Sequence, residues 1–400
     1  MKVVHIGYKY GLKNTGGAAI AATRLHRALL DVGVESHYVC VLKNEEGKNI
    51  HELPRRGCGC RCLFFLLAKL TRCVWKLSPY RRSIPLNIIP LFGLEKLLEE
   101  IKPDVVHIHW INADVMSFEQ LARLKYKVVL NLHDLFMVNI IEPCPGNDMR
   151  YVEGVSRRNS SWLERWLFQR KQKAIHKCEA EFLGPSEWVC DCVRKSIIGC
   201  GLKVHVVSNI VSDQFRYNAT LRIPHQSFII LYGCYGGRRN RFKGFADLEK
   251  ALAFLPNEIK SRVELWIFGE EAEDTRTSGV TTRFLGEISD EESLVRVCHQ
   301  SDILAFPSIH ETQGMVKIEA LLCGLPVVTF DRTACAEGII HGQTGWVVAD
   351  GDINSFADGI LHYYELFNRN LIPHTSIAES TEKIAGKIRL IDDLMTIYRG

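Results

Sequence analysis

Short apolar runs alternate with amphipathic stretches along the whole chain. In the first half, the runs from KVVHIG to KVHVVSNI have the length and the β-branched content of buried strands. The stretch 18–33, AAIAATRLHRALLDVG, has apolar residues at helical spacing and ends at Gly33. This alternation predicts a parallel sheet covered by helices. Strands are predicted at 2–7, 35–42, 103–110, 126–134, 180–186 and 203–210.

The alternation restarts after a polar stretch at 212–226. Here strands are predicted at 228–236, 263–270, 281–287, 302–308, 325–330 and 344–350, and helices at 245–255, 290–299, 315–323, 333–340 and 353–367. A length of 400 residues also fits two hydrophobic cores better than one. We therefore expect an α/β protein with two Rossmann-like, doubly wound parallel-sheet domains that face each other across a cleft. The predicted limits are 1–212 for the N-terminal domain, 213–226 for a linker, 227–375 for the C-terminal domain, and 376–400 for a helix that crosses back to the N-terminal domain.

Composition places the chain among ordinary globular proteins. Hydrophobic residues make up 46% and charged residues 24% of the sequence, which excludes disorder, collagen and coiled coil. No apolar run reaches the length of a membrane-spanning helix, and the first residues lack the apolar core of a signal peptide. We expect a cytoplasmic protein whose 14 cysteines are reduced.

Positive charge is concentrated in the first half of the chain. Residues 1–212 carry 31 Lys and Arg against 20 Asp and Glu, whereas residues 213–400 carry 19 against 26. The run 55–82 holds eight cations and no acid, with Leu, Phe and Trp close to helical spacing. Such a run is typical of an amphipathic helix on an anionic membrane, and equally of a helix packed on its own domain with a solvated basic face. The first alternative predicts peripheral attachment to the inner face of the membrane.

A loop with unusual chemistry follows the first strand of each predicted domain. Gly16 and Gly17 precede the first helix, where missing side chains let backbone amides approach a phosphate or a sugar. This loop lacks the GxGxxG spacing, which disfavours a nicotinamide cofactor. In the loop 236–244, four cations within six residues favour binding of a pyrophosphate. A tight turn and a solvated loop are the respective alternatives.

The stretch 306–320 combines a strand end, a loop and a helix start. Gly314 opens the predicted helix, whose first amides are free to bind an anion. Glu311 lies in the loop and Glu319 lies inside the apolar helix, where an acid is costly to bury without polar partners. Sugar hydroxyls are suitable partners, and an exposed Glu on a helix face is the alternative.

These motifs resemble those of a known family. The sequence FPSIHETQGMVKIEALLCGLPVV, followed by EGIIHGQTGWVVADGD, is similar to the signature of retaining glycosyltransferases with the GT-B fold, closest to family 4. The family's E-x7-E motif corresponds to Glu311 and Glu319. The glycine loop, LNLHD, FLGPSEWVCDCV, VVSNIVSDQF and RRNRFKG follow in the family's order, and the resemblance is weakest at 44–100. Two positions depart from the pattern: Gln313 replaces a large residue, and Ile210 follows Asn209 where Gly is common.

The resemblance implies a nucleoside-diphosphate sugar as donor and a glycan or lipid-linked acceptor, in surface polysaccharide or lipopolysaccharide biosynthesis. It implies that Arg238 and Lys243 neutralise the donor diphosphate, that Glu319 binds the ribose and that Glu311 binds the transferred sugar. His133, at the end of LNLHD, resembles a histidine that lies beside that sugar. The implied binding residues also include the backbone amides of Gly314, Met315 and Val316.

We expect no metal ion and no cofactor. A departing nucleoside diphosphate develops negative charge, which the cations and helix amides can stabilise without a divalent ion. The D-x-D sequence of Asp350 and Asp352 follows a strand and is interpreted as a turn. No carboxylate is placed as a nucleophile, and the family implies front-face attack by the acceptor hydroxyl with the leaving phosphate as base.

Two other classes of function are weighed against a glycosyltransferase. One is another enzyme with the same fold, a nucleotide-sugar epimerase or a glycogen-type phosphorylase, of which the latter needs a lysine-bound pyridoxal phosphate. The other is a nucleic-acid-binding protein, which the basic first half would suit. No RNA-binding, zinc-finger or helix-turn-helix signature supports that class, so we expect no nucleic acid partner.

Overall fold

The computed structural model describes residues 1–13, 15–53, 87, 93–111, 115–140, 148–233 and 236–400. The basic run 55–82 lies outside these residues. The chain forms two compact units. Unit 1 comprises Met1–Pro185, Val189–Val207 and Leu394–Gly400, and unit 2 comprises Ser186–Trp188 and Ser208–Asp393.

Unit 1 is built on a parallel sheet with the strand order β5-β3-β1-β6-β7-β8-β9. The strands are β1 Lys2–Ile6, β3 Glu35–Cys40, β5 Ile50–Glu52, β6 Val105–Ile108, β7 Lys127–Asn131, β8 Glu181–Gly184 and β9 Val204–Val206, and β2 Lys9–Tyr10 pairs separately with β4 Leu42–Lys43. The described helices up to residue 195 are α1 Gly17–Asp31, α2 Leu94–Ile101, α3 Phe118–Leu121, α4 Arg150–Glu153, α5 Trp162–Lys177 and α6 Glu187–Lys195. The strand order reverses between β1 and β6, and ligands of open parallel sheets bind at that point.

Unit 2 has a second sheet with the order β12-β13-β11-β10-β14-β15-β16, in which β12 alone among these strands is antiparallel to its neighbour. The strands are β10 Phe228–Gly233, β11 Val263–Phe268, β12 Thr275–Thr277, β13 Val280–Phe284, β14 Ile303–Phe306, β15 Val327–Phe330 and β16 Gly345–Val348. The remaining helices are α7 Phe245–Phe254, α8 Asn257–Lys260, α9 Glu291–Gln300, α10 Met315–Leu322, α11 Ile353–Asn368, α12 His374–Ala385 and α13 Lys387–Arg399. The order reverses between β10 and β14.

Both faces of the second sheet are buried. Along β10, Phe228 and Ile230 belong to one apolar cluster, and Leu231 between Ile230 and Tyr232 belongs to the other. Because side chains alternate across a strand, a sheet covered on both faces needs the unbroken apolar run that the sequence has here. The predicted fold class, two doubly wound α/β units, is confirmed.

Two predictions of local structure are wrong. The predicted helix at 333–340 is a series of turns, because the backbone carbonyls of Ala334, Cys335 and Glu337 all point at the ammonium group of Lys317 instead of along a helix axis. The predicted helix at 376–400 is two helices, α12 and α13, separated at Gly386, whose backbone is extended. In the described part of the chain, no helix combines the length and the apolar character needed to cross a membrane.

Candidate functional site

The loop after β10 is packed against the loop after β14, where the strand order of unit 2 reverses. It contains two short 3-10 turns, Gly237–Arg239 and Arg241–Lys243. Gly244 has φ +68°, and a Cβ atom there would lie 1.9 Å from the carbonyl oxygen of Pro307. The amide of Ile309 donates to the carbonyl of Phe242 at 2.8 Å. These contacts bring the basic loop to the residues around Glu311.

Both predicted cations of this loop are paired with acids. Arg238 makes two side-chain hydrogen bonds to Glu270, at 3.1 Å from Nε and 3.0 Å from Nη2, and these hold the pKa of Glu270 below its ordinary value. Lys243 donates to a carboxylate oxygen of Glu311. Sequence reasoning did not single out Glu270, although it follows a buried strand that ends at this edge of the sheet. A bound diphosphate would compete with both carboxylates for the cations.

The start of α10 provides backbone donors beside these ion pairs. Gly314 has φ +80°, and a Cβ atom there would lie 2.5 Å from the ring of Phe306, so glycine is required. The amides of Met315 and Val316 have no acceptor within the helix, because they belong to its first turn. Glu319 is 4% exposed and Glu311 is 9% exposed. Unit 2 therefore assembles cations, helix amides and both acids of the E-x7-E motif.

Lys317 fixes the surroundings of α10. Its ammonium group is buried and donates to the carbonyls of Ala334, Cys335 and Glu337 at 2.8, 3.1 and 2.7 Å. Burial lowers the pKa of Lys317 to about 8. The carboxylate of Glu337 in turn accepts hydrogen bonds from the amides of Glu187 and Trp188 at 2.8 and 2.7 Å. Sequence reasoning missed Lys317, because the sequence of an apolar helix does not show which carbonyl groups a lysine within it will contact.

Gln313, one of the two positions that depart from the family pattern, contacts the residues that precede the other, Ile210. Gln313 accepts a hydrogen bond from the Asn209 side chain at 2.6 Å and donates to the Ser208 hydroxyl. A large apolar residue at 313 could make neither bond. Residues 208 and 209 are thereby joined to the residue that precedes Gly314.

In unit 1, Gly16 and Gly17 line a cavity of about 240 Å³ where the strand order reverses. Tyr8, His109 and Trp110 also line it, and Trp110 is 38% exposed. A Cβ atom added at Gly16 or at Gly17 would meet no atom within 4 Å. Packing against the described residues therefore does not require glycine at either position, which leaves room for a ligand to approach the backbone.

His133 is the end of a row of histidines in unit 1. His5 Nδ1 lies 3.0 Å from His109 Nε2, and His109 Nδ1 lies 3.0 Å from His133 Nε2. The ring of His107 is stacked on that of His109 with the centroids 4.4 Å apart. Burial lowers the pKa of His133 to about 4 and that of His107 to about 3, and it also lowers those of His5 and His109. At neutral pH these imidazoles are uncharged.

Among the described residues, His5, His107 and His109 form the one group whose donor atoms are close enough to hold a metal ion, within 4.8 Å of one another. Both nitrogens of His109 face other imidazoles at hydrogen-bond distance, and the stacked rings do not converge on one point. This arrangement suits hydrogen bonding better than coordination. In the D-x-D sequence, Asp350 pairs with Arg332 and Asp352 caps α11 through Ser355.

Comparison with known proteins gives the class of the fold. Over the whole chain, the structure is similar to sucrose-phosphate synthase from Thermosynechococcus elongatus, with a TM-score of 0.69, 17% identity and coverage of 98% of that chain. It is also similar to Anabaena HepE in complex with UDP-glucose, with a TM-score of 0.62, 14% identity and full coverage of both chains. The fold is that of GT-B glycosyltransferases.

Sequence comparison gives the family. The family model described as Glycosyltransferase Family 4 matches residues 15–215, about half of the chain, and the model described as Glycosyl transferases group 1 matches residues 231–365. The chain therefore belongs to the group 1, family 4 glycosyltransferases.

Two curated relatives illustrate the range of this family. Glycogen synthase from Mycobacterium tuberculosis is 28% identical over 272 residues, a match that covers 65% of this chain and 59% of the relative. The capsular polysaccharide biosynthesis glycosyltransferase CapM from Staphylococcus aureus is 26% identical over 357 residues, covering 80% of this chain and 90% of CapM. The chain thus spans about three fifths of the first relative and most of the second.

Proposed function

We propose that this protein transfers a sugar from a nucleoside-diphosphate sugar to a hydroxyl group of a glycan or lipid-linked acceptor, with retention of anomeric configuration, in surface polysaccharide biosynthesis. The observation that carries the proposal is the assembly of Arg238, Lys243 and the first amides of α10 where the strand order of unit 2 reverses. The capsular role of CapM and the UDP-glucose complex of HepE support the pathway and the donor class.

In this mechanism the leaving group is stabilised by preorganised positive charge. Arg238, Lys243 and the amides of Gly314, Met315 and Val316 bind the diphosphate, whose charge grows as the anomeric bond breaks. When the diphosphate takes the ammonium group of Lys243, the carboxylate of Glu311 becomes available to the hydroxyls of the transferred sugar. Glu319 binds the ribose, and His133 donates a hydrogen bond to the transferred sugar. The acceptor hydroxyl attacks the same face that the phosphate leaves, and its proton passes to that phosphate. The nucleotide sugar is a substrate, and we propose that neither a cofactor nor a metal ion takes part.

The donor site is tested by single substitutions in one loop. Arg238→Ala and Lys243→Ala should each lower kcat/KM by about 10²-fold, because each removes a charge that acts on the transition state. Arg239→Ala is the matched control, since Arg239 is an exposed neighbour in the same turn, and it should change kcat/KM by less than about threefold. Transfer is measured in excess EDTA with UDP-, GDP- and ADP-glucose, and the anomeric configuration of the product is read by NMR.

Three results would contradict parts of this proposal. If both variants stay within about twofold of the wild-type protein, the diphosphate role is wrong. If activity is lost in EDTA and restored by Mg²⁺, the protein uses a metal ion. If the product has the inverted anomeric configuration, the front-face mechanism is wrong.

We also propose that the run 55–82 attaches the protein to anionic membranes, from its sequence alone. Eight cations without an acid would each contribute on the order of 1 kcal/mol near an anionic leaflet. The protein should sediment with vesicles containing phosphatidylglycerol at low salt and be released as the salt concentration rises. Neutral vesicles are the control. Equal binding to both kinds of vesicle, or binding to neither, would show that the run does not act through anionic lipid.

A further inference from the structure

A hydrogen-bonded row of three imidazoles connects the core of unit 1 to His133. His5 lies on β1, His109 directly follows β6, and His133 lies just after β7, so the three side chains come from the carboxyl ends of neighbouring strands. The successive nitrogen pairs are both 3.0 Å apart. His5 and His109 are 0% and 6% exposed, whereas His133 is partly exposed. The row therefore runs from a buried group to an accessible one.

His5, at the buried end of the row, determines which nitrogen of each imidazole donates and which accepts. A neutral imidazole has one N–H donor and one acceptor nitrogen. The Nε2 atom of His5 is buried and has no hydrogen-bond partner among the residues that the structure describes. A buried N–H without an acceptor is rarer and more costly than a buried lone pair, so the proton of His5 lies on Nδ1. His5 then donates to Nε2 of His109, and His109 must donate from Nδ1 to Nε2 of His133.

A contact of Asn131 with His133, at the other end of the row, gives the same direction of hydrogen bonding. The amide nitrogen of Asn131 lies 3.0 Å from Nε2 and 3.5 Å from Nδ1 of His133. An amide nitrogen is a donor only, and the shorter distance identifies Nε2 as the acceptor. His133 therefore carries its proton on Nδ1. Burial lowers the pKa of each of the three imidazoles, and the row stays uncharged at neutral pH.

We propose that His5 and His109 are positioning residues that hold His133 as the Nδ1–H tautomer. The proposal rests on the proposed function, in which His133 contacts the transferred sugar. In this tautomer the ring offers a donor at Nδ1, which suits an oxygen of a sugar, while Nε2 is occupied by His109 and Asn131. The opposite tautomer would offer a lone pair at Nδ1 and would lose the bond from His109.

The tautomer can be observed directly and without substrate. In the full-length protein labelled with ring ¹⁵N-histidine, long-range ¹H–¹⁵N correlation spectra distinguish a protonated Nδ1 from a protonated Nε2, and the His133→Gln variant assigns the signal among 15 histidines. We expect a protonated Nδ1 for His133 in the wild-type protein. A protonated Nε2 would overturn the proposal.

Two substitutions of His109 separate hydrogen bonding from packing. The side-chain amide of Asn reaches the place of Nδ1, whereas that of Gln reaches the place of Nε2. His109→Asn keeps a donor to His133 and should leave its tautomer unchanged. His109→Gln loses that donor, so His133 should shift toward the Nε2–H tautomer and kcat/KM should fall about tenfold.

If the two variants behave alike, or if Gln is the better replacement, packing explains the row and the proposal fails. Absence of transfer by the wild-type protein would instead overturn the proposed function, and the spectra would still decide the tautomer.

Discussion

At the scale of single residues, two buried lysines organise the loops that carry the candidate site. Lys317 donates to three carbonyls of the segment 334–337. Lys171 does the same in unit 1, where its ammonium group donates to the carbonyls of Phe136, Asn139 and Ile140 in the segment that follows His133. Burial lowers the pKa of Lys171 to about 7. In each unit, one cation thus binds several carbonyls of a segment that lies outside the helices and strands.

A glycine comparison tests whether a ligand approaches the loop before α1. Gly16→Ala and Gly17→Ala should change the free energy of unfolding by less than about 0.5 kcal/mol, because an added Cβ meets no atom within 4 Å. Transfer activity should nevertheless fall at least about tenfold, because the methyl group blocks the backbone amides from the ligand. Stability is measured by urea unfolding and activity by initial rates.

Gly244→Ala is the control substitution in which an added Cβ atom should lower stability. A Cβ atom there collides with the carbonyl of Pro307, and φ is positive, so this substitution should destabilise the protein by more than about 1 kcal/mol. Full activity in both Gly16→Ala and Gly17→Ala would show that no ligand approaches this loop.

At the scale of elements, the sequence predicted strands best where helices cover both faces of the sheet. The runs FIILYG and VELWIF predicted β10 and β11, because a strand between two helical layers must be apolar almost throughout. The edge strands β5 and β12 were missed, since each has only three residues, most of them exposed or half-buried, which leaves little periodicity. The turns at 333–340 were mistaken for a helix, because their conformation depends on Lys317, which lies 16 residues or more away in sequence.

The candidate site likewise has features that the sequence predicted and features that it did not. Motif order predicted that Arg238, Lys243, Gly314 and Glu311 come together, and unit 2 brings them together. The partner of Arg238 and the bond between Gln313 and Asn209 could not be predicted, because each joins segments that only the tertiary fold makes neighbours. The roles of these residues in donor binding stay a prediction.

At the scale of the whole molecule, the two units should respond differently to acid. In unit 1, burial lowers the pKa of six histidines below the ordinary value of 6.5, namely His5, His26, His51, His107, His109 and His133. The unfolded chain then binds protons that the folded unit does not, so stability is lost as the pH falls from about 6.5 to about 4. Each group contributes up to about 1.4 kcal/mol per pH unit.

Other groups oppose or offset this effect. In unit 1, burial raises the pKa of Asp134 to about 6, which stabilises the folded state in acid. In unit 2, the pKa values of His225 and His299 are raised and those of His310 and His374 are lowered, so their effects partly cancel. Hydrogen exchange at pH 7 and pH 5 should therefore show that peptides of unit 1 lose protection first. Earlier opening of unit 2 would contradict this prediction.

The path of the chain has a consequence for biosynthesis. Unit 2 is nearly continuous, from Ser208 to Asp393, whereas unit 1 includes Leu394–Gly400. Within that segment, Tyr398 is hydrogen-bonded to the buried His107 at 2.5 Å, and the carbonyl of Ile397 accepts a bond from Lys127. A ribosome makes these residues only after it has made all of unit 2. Although domains usually fold in order from the N-terminus, here the first unit to be translated is the last to be completed. His107 gains its partner Tyr398 only after the second unit has emerged.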